Sequence, residues 1–253
     1  MRLNKYAKSI EITGVENIYM ALYAIADLHL PLGVDKPMDI FGVAWKNYVE
    51  RLFENWQHTV KEEDTVVLPG DFSWAMYLDE SKRDFEYLNS LNGTKILIKG
   101  NHDYWWTTMN KLKHFIDDNG FSDIYFMHNN AFVYKNIVLC GTRGWVHPAW
   151  EGCTEKDRKI FARETARLEL SLKDAQKYEG KDIYVFTHYP PMSNHIEGNI
   201  FTDKLAEYGV KKVIYGHLHS ASHKNRVSGV HNGIEYILAS ADYLQFAPKK
   251  IAE

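Results

Sequence analysis

Five times along this chain an apolar run of strand length stops at residues able to bind a cation. The runs at 19–26, 65–68, 96–98, 183–186 and 213–215 lead into Asp27-Leu28-His29, Gly70-Asp71, Gly100-Asn101-His102-Asp103, Thr187-His188 and Gly216-His217-Leu218-His219. A strand that ends in this way delivers its polar group to the edge of the sheet. Loops at the carboxyl ends of strands in α/β sheets are held rigidly at one end and form the usual ligand clefts. Asp27, Asp71 and Asn101 would bring three oxygen ligands to such an edge, and His29, His188, His217 and His219 four imidazoles. That set suits two divalent cations.

The 253 residues are enough for one large domain, and no repeat, low-complexity tract or Pro/Gly/Ser linker divides residues 1–253. A formal charge of −3, with no basic block longer than a pair such as Lys249-Lys250, gives no general attraction to nucleic acid or anionic membrane. Lys249-Lys250 reads as a solvated end. The first 18 residues mix charges throughout, and the first apolar run falls far short of the roughly 20 residues that span a bilayer. Cys140 and Cys153, without a CxxC or a Cys/His pairing, read as reduced thiols, and the expected location is the cytoplasm.

Between the apolar runs lie segments of helical spacing at 38–60, 79–91, 104–118 and 155–178. Further strands are predicted at 124–128, 131–134, 137–141 and 235–240, with Lys135-Asn136 closing a hairpin. The alternation predicts a layered α/β fold. Residues 143–153 and 189–202 read as irregular stretches bordering the ligand-bearing edge.

Singly, most of these motifs are weak: Asp27-x-His29 is a common tripeptide, Gly70-Asp71 a routine turn and His188 an ordinary loop histidine. Gly100-Asn101-His102-Asp103 and Gly216-His217-Leu218-His219 are stronger, because neither a core nor a turn requires such runs of coordinating side chains. The order D-x-H, G-D, G-N-H-D, H, G-H-x-H over residues 27–219 resembles that of the calcineurin-like metallophosphoesterase superfamily. The surroundings resemble its bacterial-type predicted phosphohydrolases. Phe72-Ser73-Trp74-Ala75 follows Gly70-Asp71, where serine/threonine protein phosphatases carry GDxVDRG and purple acid phosphatases a tyrosine ligand.

The resemblance implies a two-sheet β-sandwich flanked by helices, with a dinuclear metal site at one end. It implies that Asp27, His29 and His219 bind one cation, that Asn101, His188 and His217 bind the other, and that Asp71 bridges them. The metals expected are Mn, Fe, Zn or Co, with Mn favoured, since no thiolate demands a softer ion. The implied chemistry is attack on a phosphoric ester by a hydroxide shared between the cations. His102 would stabilise or protonate the leaving group and Asp103 would orient His102, although Asp103 also reads as a helix N-cap. Arg143 is a candidate for holding substrate phosphate, with an ion pair as the structural alternative.

His147 and His195 read as solvated loop histidines. Trp74, Tyr104-Trp105-Trp106, Trp145, Trp150 and Tyr189 stand beside the motifs as cleft walls or as a stacking surface for a planar group. The expected substrate is a small phosphodiester such as a nucleotide, then a phosphomonoester. A nuclease would share the site but want a larger basic footprint, and a non-catalytic scaffold would not need intact ligands. The oligomeric state is not legible.

Overall fold

The computed structural model of the protein describes residues 20–193 and 198–253. His195 and the mixed-charge segment 1–18 lie outside the described residues. Two sheets face each other. The first has the order β11 (Lys249–Ala252), β1 (Leu22–Ala24), β2 (Thr65–Pro69), β3 (Thr94–Ile98), β4 (Ile124–Phe126). The second has the order β5 (Ala131–Tyr134), β6 (Ile137–Thr142), β7 (Asp182–Thr187), β8 (Lys212–Tyr215), β10 (Ile234–Leu238), β9 (Gly229–His231). From β1 to β4, and from β6 through β7 and β8 to β10, neighbouring strands are parallel. Their carboxyl ends therefore collect at one edge of the sandwich.

The apolar runs form strands because both faces are covered. Leu22, Val67, Ile96 and Ile98 meet Leu139, Phe186 and Ile214 between the sheets. On the outer face of the first sheet, α1 (Tyr48–Thr59), α2 (Lys82–Ser90) and α3 (Met109–Asn119) pack through Leu52, Trp56, Phe85, Leu88 and Leu112. On the second, α4 (Glu155–Ala175) and α5 (Ile200–Glu207) pack through Phe161, Leu168, Leu172 and Leu205. Among the described residues, no helix is long and apolar enough to cross a membrane.

The structure departs from the sequence reading in places with local causes. The helix predicted at 38–60 is two 3-10 turns, Asp39–Phe41 and Val43–Trp45, followed by α1, because Gly42 (φ 120°) and Asn47 (φ 48°) interrupt it. Helix α3 begins at Met109 and not at 104: Trp105 and Trp106 are buried in the core, and Thr108, not Asp103, is the N-cap. Lys249 and Lys250 belong to β11, paired antiparallel with β1, rather than to a free end. Helix α5 starts inside the stretch read as irregular, with Asn199 accepting from Phe201 N (2.7 Å) and Thr202 N (3.1 Å).

Candidate metal centre

Backbone geometry marks the site before any side chain is considered. Asp27 (φ 62°), His29 (φ 48°), Asp71 (φ 54°) and His217 (φ 72°) all adopt left-handed conformations, which non-glycine residues seldom do and which concentrate at functional sites. Asp27 and His29 thus converge because the chain turns after β1, not through strand alternation. The loops are tied together: Asp27 N donates to Gly70 O (2.9 Å), His29 N to Asp71 O (3.0 Å), and Gly216 N to His188 O (3.1 Å). His217 N donates to Asp27 Oδ2 (2.9 Å), which joins the two sheets through one carboxylate. Close approach demands glycine at position 100, where a Cβ would lie 2.1 Å from Asp71 Oδ1.

These turns gather the seven residues. Ligand atoms of Asp27, His29 and His219 lie within 4.8 Å of one another, as do those of Asp27, Asp71 and His188. Asp71 Oδ2 stands between the groups, 3.8 Å from His29 Nε2 and 3.4 Å from His188 Nε2. Asn101 Oδ1 is 2.7 Å and His217 Nδ1 3.2 Å from His188 Nε2, and His29 Nε2 is 3.3 Å from His219 Nε2. Asp27, His29, Asp71 and His188 are buried.

Burial and close contacts set the charges of the cluster. Burial depresses His29 to about 4 and, with the charge of His188, His217 to about 3, so both rings are neutral at pH 7. Burial opposes ionisation of Asp71, yet the neighbouring histidines, His188 foremost, hold it well below the usual carboxylate range. For His219, burial is outweighed by Asp27 and Asp242, which lift it to about 10. Convergent imidazoles and carboxylates with mutual contacts this short suit borderline divalent metals. His188 Nδ1 lies 3.1 Å from the Pro69 carbonyl and can donate to it, which leaves Nε2 facing Asp71.

Surrounding rings fix the ligands. Trp74 stacks on His29 (centroids 4.6 Å apart), Tyr189 lies against His217 (4.0 Å), and Tyr48 donates its hydroxyl to His29 O (2.7 Å). His102, half-buried, sits 4.7 Å from the Trp74 ring and 5.7 Å from that of His29, beside the centre.

Asp103 does not touch the His102 ring, the contact expected from the sequence. Its Oδ2 accepts from Gly100 N (2.6 Å) and Asp71 N (2.9 Å), and its Oδ1 from Phe72 N (2.9 Å), Ser73 N (3.4 Å) and Trp105 Nε1 (3.0 Å). With those acceptor positions filled, it acts as the peg holding two ligand loops in register. Arg143 makes the ion pair of its structural alternative: Nη2 is 3.2 Å from Glu164 Oε1, and its guanidinium lies 4.4 Å from the Trp145 ring. His147 Nδ1 accepts from Ala149 N (2.9 Å).

Asp242 escaped the sequence reading. Its Oδ1 is 3.0 Å from His219 Nδ1, and its Oδ2 accepts from Ser220 N (3.0 Å). The signal was the same one used elsewhere, since Asp242 closely follows the apolar run at 235–240.

Solved structures with this architecture include TT1561 of Thermus thermophilus (12% identity, 92% of this chain and 98% of that one, TM-score 0.53). Another is a phosphopantetheinyl hydrolase of Mycobacterium tuberculosis (14%, 91% and 95%, 0.51). At these identities the likeness is one of fold. Comparison with curated proteins returns no match. The sequence profile of the calcineurin-like phosphoesterases matches residues 20–221, which contain the seven clustered residues together with His102 and Asp103. The chain belongs to the calcineurin-like phosphoesterase family, whose members hydrolyse phosphoric esters with the help of metal ions.

Proposed function

We propose that the protein is a phosphodiesterase acting on a small organic phosphodiester such as a nucleotide, and that Asp27, His29, Asp71, Asn101, His188, His217 and His219 hold its two divalent cations. The observation that carries the metal reading is Asp71 Oδ2, buried between the His29 and His188 rings and 3.4–3.8 Å from each. Asp27, His29 and His219 would form one site, Asn101, His188 and His217 the other, with Asp71 shared. The donor set admits Mn, Fe, Zn or Co, and Mn is the first choice. Cations held there supply a water of lowered pKa and neutralise phosphoryl charge.

The chain's own residues do the rest. His102 stands at the rim of the cluster, and burial lowers its pKa, so the ring is neutral at pH 7 and can donate a hydrogen bond to the departing oxygen. Asp103 positions it indirectly by fixing residues 100–103 against 71–73. A mostly apolar pocket of about 480 Å³, lined by Trp145, Trp150, Tyr189, Met192 and Leu218, reaches His217 itself. Its wall suits a flat or apolar ester group and so supports an organic diester over inorganic phosphate alone. Cys140 and Cys153 are unpaired, in keeping with a cytoplasmic enzyme.

The test is hydrolysis of bis(p-nitrophenyl) phosphate and p-nitrophenyl phosphate with added Mn, with Asp71→Asn as control. Diester cleavage that vanishes in Asp71→Asn is expected. Monoester turnover alone would overturn the diester reading, and activity that survives in Asp71→Asn would overturn the metal assignment.

A further inference from the structure

A second cavity, of about 360 Å³, lies beside the metal centre and opens between the sheets. It sits over the carboxyl ends of β3 and β6, one strand from each sheet. The lining includes Lys99, Thr107, Thr142, Arg143, Glu164 and Arg167. Lys99 immediately precedes the loop of Asn101 and His102, while the Arg143 carbonyl accepts from His188 N (3.0 Å) and Tyr189 N (2.9 Å). The cavity therefore abuts two loops of the centre without sharing a ligand with it.

Its charges do not balance. Three cationic side chains line it and one carboxylate opposes them. Glu164 Oε1 already serves Arg167 Nη1 (2.8 Å) and Arg143 Nη2 (3.2 Å), and its Oε2 accepts from Thr142 Oγ1 (2.7 Å). Asp103, the other nearby acid, is filled by N–H donors. Lys99 is partly buried and has no hydrogen-bond or salt-bridge partner among the described residues. Arg143 Nε is buried and likewise lacks a hydrogen-bond partner. Withdrawing cations from water without a counter-charge is costly, and here three of them share one carboxylate in one concave space.

An anion is the missing complement. We infer that this cavity is a second oxyanion site, distinct from the metal centre, that takes a phosphate-type dianion between Lys99 and the two guanidinium groups, with the Thr107 hydroxyl to complete the shell. Planar arginine forks and a point-charged lysine are the side chains suited to such oxygens, and each charge-assisted bond is stronger than a neutral one. The dianion has two possible sources. One is a second phosphate on the substrate, which rests on the phosphoesterase reading above. The other is free inorganic phosphate, which does not.

The experiment is equilibrium titration of inorganic phosphate into the full chain loaded with Mn, read as stoichiometry and affinity. The wild type should bind two phosphates, one at each site. The double variant Lys99→Met/Arg167→Met should bind one, with the other weakened at least about tenfold, the worth of a single charge-assisted bond. Asp71→Asn, which disables the metal centre and leaves the cavity whole, should keep the cavity phosphate.

Unchanged stoichiometry and affinity in the double variant would overturn the site. Loss of both phosphates in Asp71→Asn would do the same. Two phosphates retained in Asp71→Asn would instead count against the metal assignment. Lys99→Gln alone, checked by its urea midpoint, serves if the double variant is poorly folded. The source is then read from kinetics. A KM raised only for substrates with a second phosphate identifies a substrate group. Phosphate-dependent change in bis(p-nitrophenyl) phosphate turnover, present in wild type and absent in the variant, identifies the free anion. If neither effect is seen, the cavity serves neither source and the inference is overturned.

Discussion

Asp242 Oδ1 lies 3.0 Å from His219 Nδ1, so the ring of a candidate ligand is aimed by a carboxylate outside the seven clustered residues. Such a partner fixes the tautomer and raises the basicity of the opposite nitrogen. Asp242→Asn removes the charge and leaves a single oxygen to serve both His219 and Ser220 N. Mn affinity, measured by titration with a fluorescent competitor, should fall about 10- to 100-fold while the circular dichroism stays unchanged.

Gly100 leaves room for Asp71 by having no side chain. The Cβ introduced by Gly100→Ala would sit 2.1 Å from Asp71 Oδ1 and 2.3 Å from Asp71 N. Backbone must move, and the Asn101 loop moves with it. Diester turnover should drop by about 100-fold or more, the penalty for misplacing a catalytic group by roughly an ångström. Metal counting by atomic absorption should show partial occupancy.

Asp103→Asn is isosteric yet chemically wrong. One of its two faces would turn an N–H₂ toward backbone N–H groups, either those of Gly100 and Asp71 or those of Phe72 and Ser73. Leaving buried donors unpaired should cost about 1–3 kcal/mol in urea unfolding. Activity should fall further than stability explains, because two loops of the centre lose their common peg.

Asp84 gives the fold a pH dependence. Burial raises its carboxyl from 3.8 to about 7, although Ser73 Oγ and Leu32 N (2.8 Å) donate to it. The folded chain thus holds a proton that the unfolded chain releases. The stabilisation is complete below about pH 4 and is lost as pH rises toward 7. Asp84→Asn keeps an acceptor and a donor without the charge. It should raise stability at pH 8 by on the order of 2 kcal/mol and change little at pH 4, as read from urea midpoints at the two pH values.

The strands and the cluster were readable because buried parallel strands leave uninterrupted apolar runs, and each run stops where its loop enters the site, whereas the division into two sheets came from the family resemblance. Asp242 followed that pattern and was overlooked, whereas the strands that escaped lacked it. Strand β9 is exposed throughout, and β11 carries exposed Lys249 and Lys250 on a sheet edge, so neither shows an apolar signature. Arg143 was ambiguous for a different reason. Whether an arginine meets substrate or a buried acid depends on Glu164, 21 positions away on α4, and no local pattern reveals that pairing. Asp103 misled because adjacency to His102 suggested a bond, whereas the chain turn directs its carboxylate toward residues 71–73.

The clustered side chains come from both sheets: Asp27, His29, Asp71 and Asn101 from loops of the first, His188, His217 and His219 from loops of the second. A nascent chain that has built only β1 to β4 owns four of the seven side chains, and a partial chelate holds an ion poorly. Cation capture would then come last in maturation, after the two halves have closed on each other. The loaded ion would act as a clasp, and its occupancy as a certificate that assembly is complete.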